Sequence, residues 1–273
     1  MNEDFSLAVF CDFENVALGV RDTRYPKFDM DLVLERLLLK GSIVVKKAYC
    51  DWDRYKEFKA AMHEAAFELI EIPHLRQSGK NSADIRMVVD ALDLCYTKEH
   101  IDTFVIISGD SDFSPLVSKL RENAKIVIGV GVKNSTSDLL TSNCDEFIYY
   151  DDLVTVTEKG RKRRSRSRTK AAGAAPGQTK AKVEPAKDDP RAEAIELVLT
   201  TAEALFSERG GREKVWASQI KQTLRRRKPG FTESAYGFSS FGDLLEEAEA
   251  RGLLSLELDE RSGGYVVRST PDS

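Results

Sequence analysis

"FVIISGDSDFSPL", residues 104–116, decides the fold. A run of β-branched and aromatic residues stops at Ser108-Gly109, and Asp110 and Asp112 follow one residue apart. A helix then opens with Pro115 in its first turn, where a missing N–H costs nothing. A buried strand feeding straight into a helix is the joint of an α/β sheet. Two carboxylates this close repel, so the position asks for something positive, a metal ion or basic side chains.

Working outward, the same joint recurs. "LAVFCDF" (7–13), "SIVVKKAYCDW" (42–52), "ELIEIP" (68–73), "TFVIIS" (103–108), "KIVIGVG" (125–131) and "EFIYY" (146–150) read as strands. Helical spacing of apolar residues separates them at 29–40, 54–67, 83–96, 113–123 and 136–144. This alternation predicts an α/β fold, a mostly parallel sheet with helices on both faces. Such sheets bind ligands at the carboxyl ends of their strands, near the topological switch point.

Acidic and polar residues collect at those ends. Asp12 and Asn15 follow the first strand in "CDFENV", and Asp51 ends the second in "YCDWD". Asp84 opens a helix after the polar loop "GKNSAD", and Asp110 and Asp112 end the central strand. Together they make an oxygen-ligand set suited to Mg²⁺ or Mn²⁺. Such ions orient water, lower its pKa and neutralise charge in phosphodiester cleavage. Asn15 supplies a neutral ligand or holds a water, and Lys80 and Ser108 are placed to contact a phosphate. Each acid also has a purely structural role open to it. Asp84 can complement a helix dipole beside Ser82, Asp112 can cap the helix near Phe113, and Asp51 can be a solvated turn residue.

Other chemistries lack their residues. No GxGxxG or GxxxxGKS is present, which removes the usual nucleotide loops. "DFEN" departs from the DxD of aspartyl-phosphate phosphatases by placing Glu14 at the second position. His63, His74 and His100 lie apart, so neither a triad nor a zinc site is expected. Cys11, Cys50, Cys95 and Cys144 are scattered and read as small buried residues in a reducing compartment. No run is long enough for a membrane span, and "MNEDFSLAVF" has no secretory pattern, so a cytoplasmic location is expected.

The formal net charge of −4 is unevenly distributed. Residues 1–157 carry −9, residues 158–170 hold eight basic and one acidic residue, and residues 171–273 carry −2. From 157 to 190, Ala, Gly, Pro, Ser and charge replace apolar residues, as in a flexible linker. Its "GRKRRSRSR" (160–168) reads as a phosphate-seeking tract or as a solvated spacer, with an import signal as the third alternative in a nucleated host. Structure resumes with helices at 191–210 and 214–227, a third within 236–254, and a hairpin over 254–267, a winged-helix arrangement. Lys221, Arg225, Arg226, Arg227 and Lys228 gather at one helix end, where they complement the dipole and can contact RNA. Phe231, Tyr236, Phe238 and Phe241 read as core, with base stacking as the alternative.

"AVFCDFENV", "KKAYCDW", "GKNSADIRMVVDAL", "FVIISGDSDFSPLVSKLRE" and "FIYYDDL", in that order over residues 5–153, resemble the NYN domain, a branch of the PIN-like nuclease superfamily. The resemblance implies a Rossmann-like sheet and metal-dependent ribonuclease activity. It carries acidic-site roles onto Asp12, Asp84, Asp110 and Asp112, with Asn15 as the polar companion and Asp51 as a frequent acidic position. Many relatives read Lys-Gly-x-Asp where this chain reads "KNSAD", which sets Lys80 one residue further from Asp84. "IKQTLRRRKPGFTESAYGFSSFGDLLEEAEARGLL", within 190–268, resembles a LOTUS (OST-HTH) domain, a winged-helix module linked to RNA and, in some members, to protein partners.

The expected layout is an NYN nuclease domain over 1–156, a basic linker over 157–190, a LOTUS-like domain over 191–268 and a short tail over 269–273. The expected function is a Mg²⁺- or Mn²⁺-dependent endoribonuclease acting on single-stranded or structured RNA. The alternative is a non-catalytic regulator that binds RNA or protein through the same fold. A DNA-binding regulator fits less well. A homodimer is expected only by analogy with other PIN-like proteins.

Overall fold

Strand β1 (Phe5–Asp12) lies in the middle of the sheet and shows why the chain buries it on both sides. Leu7, Val9 and Cys11 point into one hydrophobic cluster, and Ala8 and Phe10 into another. All five are fully buried, as a near-continuous apolar run in a parallel sheet requires. The computed structural model describes residues 5–21, 23, 28–72, 79–155, 189–208, 214–259 and 263–268, with backbone alone at 79–81.

The other strands are β2 (Gly41–Cys50), β3 (Glu68–Glu71), β4 (Thr103–Ile107), β5 (Ile126–Gly131) and β6 (Glu146–Tyr149). The order is β3-β2-β1-β4-β5-β6, and every pairing is parallel. Helices α1 (Phe13–Arg21), α2 (Met30–Leu38) and α3 (Lys56–Glu64) pack on the Leu7/Val9 face. Helices α4 (Gly79–Thr97), α5 (Ser114–Glu122) and α6 (Asp138–Asn143) pack on the Phe10 face. The winding reverses between β1 and β4, so the carboxyl ends of these two strands flank the switch point.

Register then sorts the polar residues by face. A bulge between Leu7 and Ala8 skips Val44, so that Ala8 pairs with Val45 and Asp12 with Tyr49. Asp12 therefore continues the Phe10 side of β1, under α4, beside the side of β2 that carries Lys47 and Tyr49. Those two side chains tie α4 down. The Tyr49 hydroxyl donates to Asp90 Oδ2 at 2.9 Å, Lys47 Nζ donates to the same oxygen at 3.3 Å, and Arg86 Nε donates to Asp90 Oδ1 at 3.0 Å. Burial pushes the Asp90 carboxyl up, but the Tyr49 bond and the Lys47 charge outweigh it and hold the group below its ordinary value.

The chain divides into two units, Met1–Ala174 and Ala175–Ser273. In the second, helix Pro190–Glu208 leads to strand β7 (Val215–Trp216), helix Ala217–Arg227, helix Phe241–Ala250 and strands β8 (Ser255–Leu258) and β9 (Tyr265–Arg268). The antiparallel order is β7-β9-β8. Phe231, Phe238 and Phe241 are buried, as their core role requires.

The structure departs from the sequence expectation in three places. Residues 13–21 form a helix where none is expected, and Gly19 inside it lets the helix close on Ser135. Helix α4 starts at Gly79, earlier than the polar "GKNS" suggests. Val215-Trp216 is a strand paired with Val266-Val267, not the start of the next helix. Residues 156–188 and 269–273, with most of the expected linker and the tail, lie outside the described residues; the linker's last position, Pro190, already opens the next helix.

Removing the clamp on α4 should be costly, since Tyr49 is 1% exposed. Asp90→Ala leaves a buried hydroxyl without its acceptor and is expected to cost about 1–3 kcal/mol in denaturant unfolding. Tyr49→Phe, which leaves Asp90 its Lys47 and Arg86 partners, should cost about 1 kcal/mol or less.

Candidate acidic site at the switch point

Asp12 ends β1 and is 8% exposed, a rare place for a carboxylate. Its Oδ2 accepts the Ser108 hydroxyl at 3.0 Å, and its Oδ1 accepts the Asn15 backbone N–H at 3.3 Å in the first turn of α1. Ser108 is fully buried at the end of β4, one residue past the Cys11–Ile107 pair, so sheet register brings it beside Asp12. Its oxygen also accepts the Asp110 N–H at 3.2 Å. Asn15 Oδ1 accepts the Gly109 N–H at 2.9 Å, a second tie between the ends of β1 and β4.

The electrostatics at Asp12 are unfavourable to a bare anion. Burial first, then the charge of Asp84, push its carboxyl up to about 7, with Asp110 adding to the rise. The Ser108 and Asn15 hydrogen bonds only partly oppose this. Asp84 reaches the site from α4 and Asp110 from the turn after β4. Cys50 senses the wider edge. Burial, then the charges of Glu71, Glu14, Asp51 and Asp12, push its thiol up.

The remaining expected residues fall in several places. Asp112 is exposed in the short 3₁₀ turn Ser111–Phe113, and it is Asp110, not Asp112, that caps this turn by accepting the Asp112 N–H at 3.0 Å. Asp51 accepts the Asp53 N–H at 3.1 Å, a turn-forming role, while its charge stays on the shared edge. The Lys80 side chain lies outside the described residues. Lys221 and Arg225 both face Glu233, at 2.8 and 3.8 Å. Burial raises the Glu233 carboxyl, but the Lys221 hydrogen bond and charge bring it below its ordinary value. Lys221, Arg225 and Arg226, with Ser218 and Gln222, line an open cleft of about 490 Å³. Lys228 is exposed at the end of that helix, next to half-buried Arg227.

One wall of the site was not expected from the sequence. The loop after β5 packs onto Gly109, whose carbonyl accepts the Ser137 N–H at 2.9 Å. A Cβ on Gly109 would strike the Ser135 backbone carbonyl. Only the polar run "KNSTS" (133–137) after a buried strand signals this wall in the sequence.

Among the described residues, no three His, Cys, Asp or Glu side chains are grouped so as to hold a metal ion. The donor set nevertheless suits a hard divalent cation. It consists of carboxylates, a hydroxyl and an amide, and the mutual repulsion felt at Asp12 is what a cation relieves.

A six-stranded parallel sheet in this order, with acids at its switch point and no glycine-rich phosphate loop, defines a PIN-like α/β domain. The chain belongs to the NYN domain family, whose model matches residues 6–153. It is 29% identical over 120 residues to an uncharacterized protein of Methanocaldococcus jannaschii, an alignment that takes in 44% of this chain and 47% of that relative. The chain thus spans about half the length of the curated relative it matches. A crystal structure of a protein of unknown function from Vibrio parahaemolyticus superimposes with a TM-score of 0.50 at 25% identity, covering 56% of this chain and 97% of that one. No described helix is long and apolar enough to cross a membrane.

The raised carboxyl at Asp12 makes a sign-definite prediction. The folded chain holds this proton up to about 7, against 3.8 for the ordinary group, so folding takes up a proton between those values. Stability of the metal-free protein therefore falls as pH rises through that window. Asp12→Asn should remove this part of the slope and raise the melting temperature at pH 8 by a few degrees. Added Mg²⁺ or Mn²⁺ should raise the melting temperature of the wild type but not of the variant.

Proposed function

We propose that the chain is a metal-dependent endoribonuclease whose NYN domain hydrolyses RNA phosphodiester bonds. The observation that carries this is a carboxylate buried at the switch point and pushed to about 7 by burial and by Asp84, with Asp110 adding. Such a group favours either a proton or a cation. Membership of the family supports a nuclease, and RNA is the substrate class that fits it.

In this reading Asp12, Asp84, Asp110 and Asp112 form the acidic set, with Asp12, Asp84 and Asp110 nearest the centre. When bound there, Mg²⁺ or Mn²⁺ supplies positive charge against the phosphate and acidifies a water. Ser108 fixes Asp12 through its hydroxyl and orders Asp110 through the N–H it accepts. Asn15 keeps the ends of β1 and β4 together through Gly109 and would offer a bound cation a neutral oxygen. Asp51 adds charge from the second strand end, and Lys80 meets a phosphate.

The second unit would act as a LOTUS-like, winged-helix RNA module, with helices followed by a hairpin and an additional strand. Lys221, Arg225, Arg226, Arg227 and Lys228 are its proposed phosphate contacts. Glu233 draws on the charge of Lys221 and Arg225, which lowers what these two offer a phosphate.

Cleavage of labelled mixed-sequence RNA, with Mn²⁺ or Mg²⁺ and with chelator, tests the reading. Wild type should cut only with metal. Asp12→Asn and the double variant Asp110→Asn, Asp112→Asn should not cut, and Ser108→Ala should lose about 10- to 100-fold. If every variant binds RNA and the wild type cuts nothing, the fold serves as a non-catalytic RNA-binding regulator instead. Binding should weaken steeply with salt. Arg227→Ala with Lys228→Ala should flatten the log–log slope by about 0.7 for each phosphate no longer neutralised.

A further inference from the structure

Helix α4 has a second face that the acidic site does not use. Inward, Met87, Ala91 and Cys95 pack on the sheet. Outward, Ile85, Val89 and Tyr96 are 62%, 56% and 61% exposed, and half-buried Leu92, which also packs against the inner cluster, lies between them. The spacing from 85 to 89 to 92 to 96 puts the four side chains within about 60° of one another around the helix. That 4-3-4 rhythm is the one that seams two helices together. Other large exposed apolar residues of this unit, Leu18, Val44 and Leu139, sit on separate elements and form no such stripe. Single exposed apolar residues are ordinary; an aligned set marks an interface.

We propose that α4 is the seam of a homodimer, packed against α4 of a second copy, antiparallel about a two-fold axis. The stripe is self-complementary about its midpoint. Ile85 then meets the partner's Tyr96, and Val89 meets the partner's Leu92. Charge fixes the direction. Arg86 and Asp93 flank the same side of the stripe, and both are exposed. Antiparallel packing sets Arg86 near the partner's Asp93, and Asp93 near the partner's Arg86. Parallel packing would put each pair on opposite edges of the seam, out of reach. Arg86 spends its Nε on Asp90, which leaves the rest of its five N–H donors for such a pair. The stripe runs about 17 Å along the helix, which is short. The interface is thus at the small end for a specific complex, below about 1,200 Å², and association is weak and concentration-dependent. The inference does not rest on the proposed reaction.

Sedimentation velocity of the full chain, from about 1 to 100 µM, tests it. Wild type should shift from monomer to dimer across this range. Val89→Glu, an exposed change that keeps the melting temperature, should remain monomeric throughout. Arg86→Glu and Asp93→Arg should each weaken the dimer at least tenfold, and the two together should restore it. A wild type that stays monomeric, or a dimer that Val89→Glu leaves intact, overturns the proposal. A double charge swap that fails to restore association while its melting temperature holds overturns the antiparallel pairing.

Discussion

A carboxylate 8% exposed at the end of a central strand is the constraint on which the site depends. Such a group needs hydrogen bonds, a proton or a cation, because burial alone penalises its charge. Ser108 supplies a hydrogen bond from the neighbouring strand, and a bond to a charged acceptor is worth about 1.5–3 kcal/mol. That is comparable to a ten- to hundredfold change in proton affinity. The hydroxyl therefore offsets part of the penalty and cannot remove it. The rest is met by protonation near neutral pH or by an ion.

The neighbouring ties serve the same end. Asn15 holds Gly109, Gly109 admits the loop after β5, and Ser137 closes on the Gly109 carbonyl. The clamp made by Tyr49, Lys47 and Asp90 grips α4 nearly two turns beyond Asp84. It keeps the helix that bears Asp84 at a fixed height over the sheet. Packing, register and charge thus converge on one edge.

Much of this could be read in the sequence. Two-sided burial made β1, β4 and β5 conspicuous, and a reversal of winding follows once helices cover both faces of a parallel open sheet. Asp12 and Asp110 were legible because strand ends of a parallel sheet share an edge, and Asp84 because a polar loop precedes it. The roles of Asp110 and Asp112 were harder. The sequence offers Asp112 as the cap, and only backbone geometry shows that Asp110 takes that place. Helix α1 went unread, and its Gly19 answers to a close approach of Ser135, more than 100 residues away in sequence. Glu233 beside Lys221 and Arg225 was equally invisible, since no helical spacing links them. Long-range pairings of this kind leave no local pattern to read.

The skipped residue at Val44 has a larger effect than its size suggests. Side chains on a strand obey parity, so a slip of one position exchanges the two faces. The bulge works as a phase shifter for β2. It puts Lys47 and Tyr49 on the same side as Asp12 while leaving the start of the strand in step with β1. Unbroken pairing from Leu7–Ile43 onward would instead set Asp12 against Ala48 and turn the anchors of α4 toward the opposite layer. The same irregularity also gives β2 one elastic position. Dropping Val44 would only iron out the bulge and keep both faces, whereas dropping a residue among 46–48 would invert everything on one side of the gap. Change in strand length is therefore tolerable at that single point and nowhere else in β2.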